Sequence, residues 1–346
     1  MLSLFFSPFM PVFTRKIGID LGTANTVVFV PGRGFIINEP TIVALRRPSN
    51  TVMAVGSEAK EMIGRTSEEI VAYRPLKDGV IADYYITKAL LTYFIGKATG
   101  RFNIFKPDVI ISVPAGITQT ERRAVMNAAT EAGAKNVFIV REPVLAALGS
   151  GIPINARSGH MIVNMGGGTS EVAVIALGNI VSWASLRVAG NKFDQALSDY
   201  IKKKYALAIG EQTAEQVKIA IGSALPTKDK MDYQVRGRNL VNGLPKDIVI
   251  SSNEIAEALN LYLIEIASSV QNVFNNTPPE LVADIMSKGI ILSGGSAQLH
   301  HLPEFFERFL GVPAYVAEDP LFCVAKGTGL ILDHLDTYKQ TLLNKR

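Results

Sequence analysis

Short apolar runs that end in glycine recur along this chain, and stretches of helical periodicity separate them. Residues 17–30 run as an apolar strand, Asp20, a Leu21-Gly22-Thr23 turn and a second apolar strand. Residues 161–175 repeat the plan, with Asn164 in place of the acid and Gly166-Gly167-Gly168-Thr169 as the turn. Strand-forming runs on both sides of a glycine turn predict hairpins. Two such hairpins, around Asp20 and around Asn164, predict two related domains that face each other.

Strands and helices alternate around them. Residues 107–114 read as a buried strand, and Thr118 and Thr120 open a helix that ends near Gly133. Residues 137–140 form the next strand, and Glu142-Pro143 leads into a helix over 144–148. Pro143 suits the first turn of that helix, where a missing N–H costs nothing. Residues 289–293 form a strand that runs into Gly294-Gly295, and helices are predicted over much of 194–204, 213–221 and 253–275. The pattern is α/β: mixed sheets covered by helices on both faces.

Length and composition bound the reading. At about 150 residues per domain, 346 residues allow two domains or three small ones. With 48% apolar and 19% charged residues, the chain is not a disordered tail, a collagen or a disulfide scaffold. Cys323 is the single cysteine, so no intramolecular disulfide forms and a reducing, cytoplasmic setting is expected. Lys and Arg number 35 against 31 Asp and Glu, and the basic residues are scattered. Lys202-Lys203-Lys204, the one tight basic run, reads as a solvated helix face, and no nucleic-acid partner is expected.

Residues 1–13 stand apart: they carry no charge, are rich in phenylalanine, and are followed at once by Arg15-Lys16. They are too few to span roughly 30 Å of hydrocarbon as a helix, and Pro8 and Pro11 break one. A secretory signal places positive charge before its apolar core, whereas here the charge follows. The segment reads as a short apolar anchor in one membrane leaflet, with Leu4, Phe5, Phe6 and Phe9 in lipid and Arg15 and Lys16 at the headgroups. An extra strand, or a tail tucked onto the core, is the alternative.

The glycine turns carry the candidate chemistry. A phosphate chain needs inward-pointing backbone N–H groups and a close backbone approach that glycine permits. Neither a Walker A sequence nor a dinucleotide GxGxxG occurs at these turns. Each turn alone is better explained by tight-turn chemistry; the ordered set favours two turns clamping β- and γ-phosphates, with Gly294-Gly295 approaching a nucleoside. Gly327-Thr328-Gly329 reads instead as helix packing. Asp20 is placed to hold Mg²⁺ directly or through water. Glu142 is placed to orient or deprotonate a water attacking the γ-phosphate, with Thr169 hydrogen-bonded to the same water. An ordinary helix-start glutamate is the alternative for Glu142. The four histidines, His300-His301 among them, show no metal-site spacing, Cys323 reads as a core residue, and no GxSxG elbow occurs.

Asp20-Leu21-Gly22-Thr23, Asn164-Met165-Gly166-Gly167-Gly168-Thr169 and Ser293-Gly294-Gly295-Ser296 resemble the phosphate-1, phosphate-2 and adenosine motifs of the actin and heat-shock-chaperone ATPase superfamily. Over residues 17–335 the chain is most similar to the MreB family, bacterial actin homologues that organise cell-wall growth in rod-shaped cells. Residues 18–26, Asn38-Glu39-Pro40, residues 74–83 and residues 277–281 carry that closer likeness. The resemblance implies an actin-like ATPase fold: two related domains, each a mixed sheet flanked by helices with a small subdomain, around a nucleotide cleft. Domain I is expected over 17–156 plus 322–346, with a small subdomain at about 37–76. Domain II is expected over 157–321, with a small subdomain at about 188–255, and residues 1–16 form the membrane-contact segment.

The same resemblance implies ATP/ADP and Mg²⁺ as ligands. Asp20 would serve the magnesium, and Gly22, Thr23, Ala24 and Asn25 the phosphates. Asn164, Gly166, Gly167, Gly168 and Thr169 would form the second phosphate turn, with Glu142 and Thr169 positioning the hydrolytic water. Glu215 and Lys218, three apart on one helix face, would hold the ribose and adenine, and Gly294, Gly295 and Ser296 would flank the adenosine.

One departure matters. The second phosphate motif of the family begins with aspartate, and this chain has Asn164. Asparagine keeps the size and an acceptor oxygen but loses the charge and cannot act as a base. Nucleotide binding is expected to survive, and hydrolysis to be slow or lost.

Family likeness further implies head-to-tail self-assembly into filaments, contact with the inner face of the cytoplasmic membrane, and cell-wall elongation proteins as partners. Ile104 and Phe105, in an apolar stretch fenced by Arg101 and Lys106, read as a second membrane point, with a buried loop edge as the alternative. The leading expectation is a nucleotide-dependent, membrane-associated cytoskeletal filament. A soluble phosphotransferase or sugar kinase is the competing class, but it needs a catalytic carboxylate for a substrate hydroxyl, and no clear candidate stands out. A chaperone ATPase domain is a third reading, less expected because such a chaperone carries a substrate-binding domain after its ATPase domain and this sequence ends at residue 346.

Overall fold

The computed structural model describes residues 15–63, 69–77, 79–100 and 106–343. Two five-stranded sheets with one shared topology carry the chain. In the first, Lys16–Leu21 turns back antiparallel into Asn25–Val30, which pairs with Gly34–Pro40. On its other side Lys16–Leu21 runs parallel to Asp108–Val113, itself parallel to Asn136–Arg141. The second sheet repeats this order with His160–Met165, Ser170–Ala176 and Asn179–Leu186, then Ile290–Ser293 and Ala314–Val316. The repeated hairpin in the sequence is thus the visible part of a repeated five-stranded sheet.

Burial explains the sequence patterns. Asp108–Val113 and Ser170–Ala176 lie inside their sheets and are buried almost throughout, so they read as continuous apolar runs. Asn179–Leu186, at a sheet edge, alternates instead. The helix Gln119–Glu131 starts at Thr118 with a reciprocal cap: Glu121 N donates to Thr118 Oγ1 at 3.2 Å, and Thr118 N donates to Glu121 Oε2 at 2.9 Å. Ser251 and Glu254 open the long helix Ser252–Asn275 in the same way.

Two three-stranded sheets flank the large ones. Val43–Arg46, Thr51–Val55 and Ile70–Tyr73 form one, beside the short helix Ser57–Glu61. Leu207–Ala208, Asp232–Asn239 and Pro245–Ser251 form the other, next to the helices Gly190–Tyr205 and Glu211–Ile221. Lys202, Lys203 and Lys204 are exposed on the first of those helices.

One apolar cluster joins the halves: Ile110 and Val140 of the first sheet pack with Ile162, Ala173 and Ile175 of the second. Each of these buried Val and Ile side chains contributes roughly 1.5–3 kcal/mol. Over this cluster the helices Glu142–Gly149 and Cys323–Asp333 cross with their backbones in contact. A Cβ on Gly327 would overlap the Leu145 carbonyl, and one on Gly149 the Cys323 carbonyl. Gly327-Thr328-Gly329 therefore serves helix packing, and Cys323 is a core residue.

Among the described residues, no helix is long and apolar enough to cross a membrane. The expected membrane contacts at Leu4, Phe5, Phe6, Phe9, Ile104 and Phe105 lie outside the described residues.

Candidate functional site

Equivalent strands of the two large sheets, Lys16–Leu21 and His160–Met165, end at one cavity of about 280 Å³. Asp20, Gly22, Thr23, Ala24 and Asn25 line it from the first half. Asn164, Gly166, Gly167, Gly168 and Thr169 line it from the second, and Gly294, Gly295 and Ser296 close a further side. Glu142, at the start of its helix, and Glu215 and Lys218, on Glu211–Ile221, also line it. All the described residues singled out in the sequence for nucleotide or metal therefore meet in one place. Val27, Ile219, Leu321 and Val324 give the cavity its apolar wall.

The two glycine turns face each other at van der Waals contact. A Cβ on Gly167 would overlap Ala24 Cβ, and one on Gly168 would lie 2.6 Å from Thr23 Oγ1. The peptides of the second turn are fixed by their carbonyls. Gly166 O accepts from Ser296 Oγ at 2.9 Å and from Gly190 N at 3.1 Å, and Gly167 O accepts from Asn191 N at 2.8 Å. Gly294 has φ +85° and packs against the Met165 carbonyl, so the third turn needs glycine for conformation and for space.

Carboxylates crowd one end of the cavity. Ser112 Oγ donates to Asp20 Oδ1 at 2.8 Å and accepts from Leu21 N at 3.0 Å. Burial pushes the Asp20 carboxyl up to about 6, against the Ser112 hydrogen bond. Burial, and then the charges of Glu171 and Asp20, push Glu142 well above the usual carboxylate range. Glu171 is raised by burial too, opposed by hydrogen bonds from Ser185 and Ala115 and by the nearby Arg141 charge. Crowded carboxylates of this kind suit a divalent cation, whose charge relieves their repulsion. Among the described residues no three His, Cys, Asp or Glu side chains converge as a metal cage. A cation beside Asp20 would therefore complete its shell with phosphate oxygens and water, as Mg²⁺ commonly does.

At the other end Lys218 Nζ pairs with Asp194 Oδ1 at 2.8 Å and donates to Gly190 O at 3.1 Å. Burial raises the Asp194 carboxyl, and the Lys218 charge opposes the rise. Lys60 meets Glu215 at 2.5 Å.

A family profile described as MreB/Mbl protein matches residues 14–340. The chain belongs to the MreB/Mbl family. The cell shape-determining protein Mbl of Bacillus cereus is 47% identical over 325 residues, 94% of this chain and 98% of that protein. The cell shape-determining protein MreB of Escherichia coli K12 is 44% identical over 342 residues, 97% of this chain and 99% of that one. The crystal structure of MreB5 of Spiroplasma citri bound to ADP matches with a TM-score of 0.90 at 38% identity, covering 95% of this chain and 99% of its own. The duplicated sheets are thus the actin-like fold of MreB, as the glycine motifs led one to expect.

In this MreB/Mbl family member Asn164 is buried at the start of the second phosphate motif and accepts from Ser293 Oγ at 3.1 Å. Asp194, Ser112 and Lys60 escaped the sequence reading, because no local pattern sets them apart from ordinary helix and strand residues, and Gly79 was legible only as part of the family-like stretch 74–83. Glu171 did leave a signal. A carboxylate inside a strand that is otherwise apolar must have partners, and those partners lie far away in the chain.

Proposed function

We propose that this chain is a nucleotide-binding, actin-like cytoskeletal protein whose copies polymerise into membrane-associated filaments that organise cell-wall synthesis and rod shape. The observation that carries the reading is the face-to-face approach of the turns at Gly22–Thr23 and Gly166–Thr169 across one cavity. Relatives named as cell shape-determining and an ADP-bound neighbour of the same fold support it. ATP fits the cleft with its phosphates between the turns, its ribose and adenine near Glu215 and Lys218, and Gly294, Gly295 and Ser296 beside the adenosine. Asp20 would hold Mg²⁺ through water, and the ion would supply charge neutralisation at the phosphates.

Glu142 and Thr169 orient the water for hydrolysis. Its oxygen bonds to the γ-phosphorus as the bond to the β–γ bridging oxygen breaks; ADP leaves with that electron pair, and the water proton passes to the product phosphate. Such a step depends on positioning and charge. Neutral Asn164 weakens the charge side and makes hydrolysis slow, so the filament is governed more by nucleotide binding than by turnover. The halves act as two domains, 17–156 with 322–346 and 157–321, and a repeated head-to-tail contact between copies makes an open polymer. Two weak apolar contacts, residues 1–13 and Ile104 with Phe105, hold the filament to the inner face of the cytoplasmic membrane.

Electron microscopy of the purified protein with ATP on an anionic lipid monolayer tests this reading. Filaments on the lipid are expected with ATP and not without nucleotide. Deleting residues 2–13 and replacing Ile104 and Phe105 by serine should leave filaments in solution while liposome co-sedimentation is lost. Absence of polymer under all nucleotide conditions overturns the filament reading, and unchanged co-sedimentation overturns the membrane contacts.

A further inference from the structure

A polar row crosses the second large sheet where the cavity begins. Asn164 is paired with Ser293 on one side and Glu171 on the other, and Glu171 with Ser185 beyond it. Residues opposite one another on neighbouring strands share a face, so the four side chains stand side by side. Glu171 and Ser293 are fully buried in the row, and Asn164 nearly so.

Both oxygens of Glu171 are engaged. Ser185 Oγ, on the neighbouring strand, donates to Oε1 at 2.5 Å. Ala115 N donates to Oε2 at 2.7 Å, and Ala115 belongs to the first half, just after the strand Asp108–Val113. The corner that holds Ala115 is packed on both sides. A Cβ on Gly116 would lie 3.1 Å from the Trp183 ring, and one on Gly79 would lie 2.6 Å from Pro114 and 3.5 Å from Thr169 Cγ2. Gly79 N in turn donates to Thr23 Oγ1 at 2.9 Å. A path thus leads from Glu171 through Ala115, Pro114 and Gly79 to Thr23 on the first glycine turn, while Thr169 on the second lies two residues before Glu171 in the same hairpin.

We infer that Glu171 is a positioning residue for phosphate hydrolysis: its carboxylate fastens the Pro114–Ala115 corner of the first half to the second phosphate hairpin and so holds Thr169 in register with Thr23. The inference rests on the nucleotide reading above and adds to it a residue that touches neither phosphate nor water. A glutamine at 171 keeps the shape, its carbonyl accepting from the Ala115 amide and its NH₂ donating to Ser185 Oγ, but both bonds lose the carboxylate charge that makes them strong. Loss of register of about 1 Å costs up to a hundredfold in rate while leaving ground-state binding largely in place.

The test is single-turnover ATP hydrolysis with protein in excess, beside the ADP dissociation constant, for the parent, Glu171→Gln, Glu171→Asp and Ser185→Ala. Glu171→Gln should lower the single-turnover rate about ten- to a hundredfold with ADP affinity changed less than about threefold. Glu171→Asp and Ser185→Ala, which each loosen one bond, should fall between it and the parent. A Glu171→Gln rate within twofold of the parent, or rate and affinity falling together, overturns the inference. If Glu171→Gln does not fold, Ser185→Ala decides on the same criteria. A parent that binds ADP and yields no phosphate overturns this inference and the hydrolysis step, and leaves the nucleotide-binding reading standing. A parent that binds no nucleotide overturns the reading beneath it.

Discussion

Lys60 and Glu215 meet at 2.5 Å across the mouth of the cavity, joining the helix Ser57–Glu61 of the first half to Glu211–Ile221 of the second. Gln212 Nε2 donates to Lys60 O at 2.8 Å, and Arg74 pairs with Glu211 beside it. Glu215 and Lys218 line the cavity from that same helix, so these contacts tie the two halves together beside it.

Lys60→Ala and Arg74→Ala are expected to speed nucleotide release. Partly exposed ion pairs are worth up to about 1 kcal/mol each, so each variant should release a fluorescent ATP analogue about two- to fivefold faster, and the double variant about tenfold faster. Stopped-flow chase with unlabelled ATP measures this. At 0.5 M salt the difference should shrink, because screening weakens the pairs in the parent. Equal release rates for parent and double variant exclude a role in holding the nucleotide.

Gly167→Ala is expected to weaken nucleotide binding strongly while the chain still folds. The new methyl group would overlap Ala24 Cβ, which has no rotamer to move out of the way, so the two phosphate turns must separate. Equilibrium titration with labelled ADP should show an affinity loss of at least about tenfold, with a near-native circular dichroism spectrum. Retained affinity would show that the turns need not approach so closely.

Glu142→Gln is expected to stabilise the nucleotide-free protein in a pH-dependent manner. Burial, Glu171 and Asp20 make the folded carboxyl bind its proton more tightly than the unfolded chain does, where the value is the ordinary 4.5. Below that pH both states hold the proton and the group is neutral in the balance. As pH rises above it the unfolded chain ionises first, so the carboxyl costs stability, increasingly until the folded value is passed. The variant should therefore melt higher at pH 7.5, by about 2–4 °C per kcal/mol relieved, and lose that gain near pH 4. Thermal melts at both pH values check the sign. An equal gain at both would attribute the effect to packing.

Asn164→Asp should exchange stability for rate. Asn164 stands opposite Glu171 on the next strand, and a carboxylate there adds a like charge to a buried row. The nucleotide-free variant should melt lower than the parent. With ATP and Mg²⁺ it should hydrolyse at least about tenfold faster, because the restored charge helps hold metal-bound water at the phosphates. Equal single-turnover rates would show that this position does not limit hydrolysis.

The fold was largely legible because its informative parts are local. A hairpin around Asp20 and a second around Asn164 need only β-rich runs and glycine, and buried central strands announce themselves as unbroken apolar stretches. Thr118, Pro143 and Gly133 mark helix ends through backbone chemistry that acts within one turn. The glycine turns were legible for the same reason, since close approach to a phosphate demands glycine whatever the rest of the chain does.

What the sequence by itself determined was therefore the pair of hairpins, the order of strands and helices, and the glycine turns. Only the tertiary structure decided how those turns face each other, that Lys218 pairs with Asp194, that Lys60 bridges to Glu215, and that Glu171 reaches Ala115. Backbone preference is written over a few neighbouring residues, and a short window of sequence contains it. A hydrogen bond between Glu171 and Ala115 joins residues 56 apart in the chain, and the pairing exists only once two independently formed sheets have packed together.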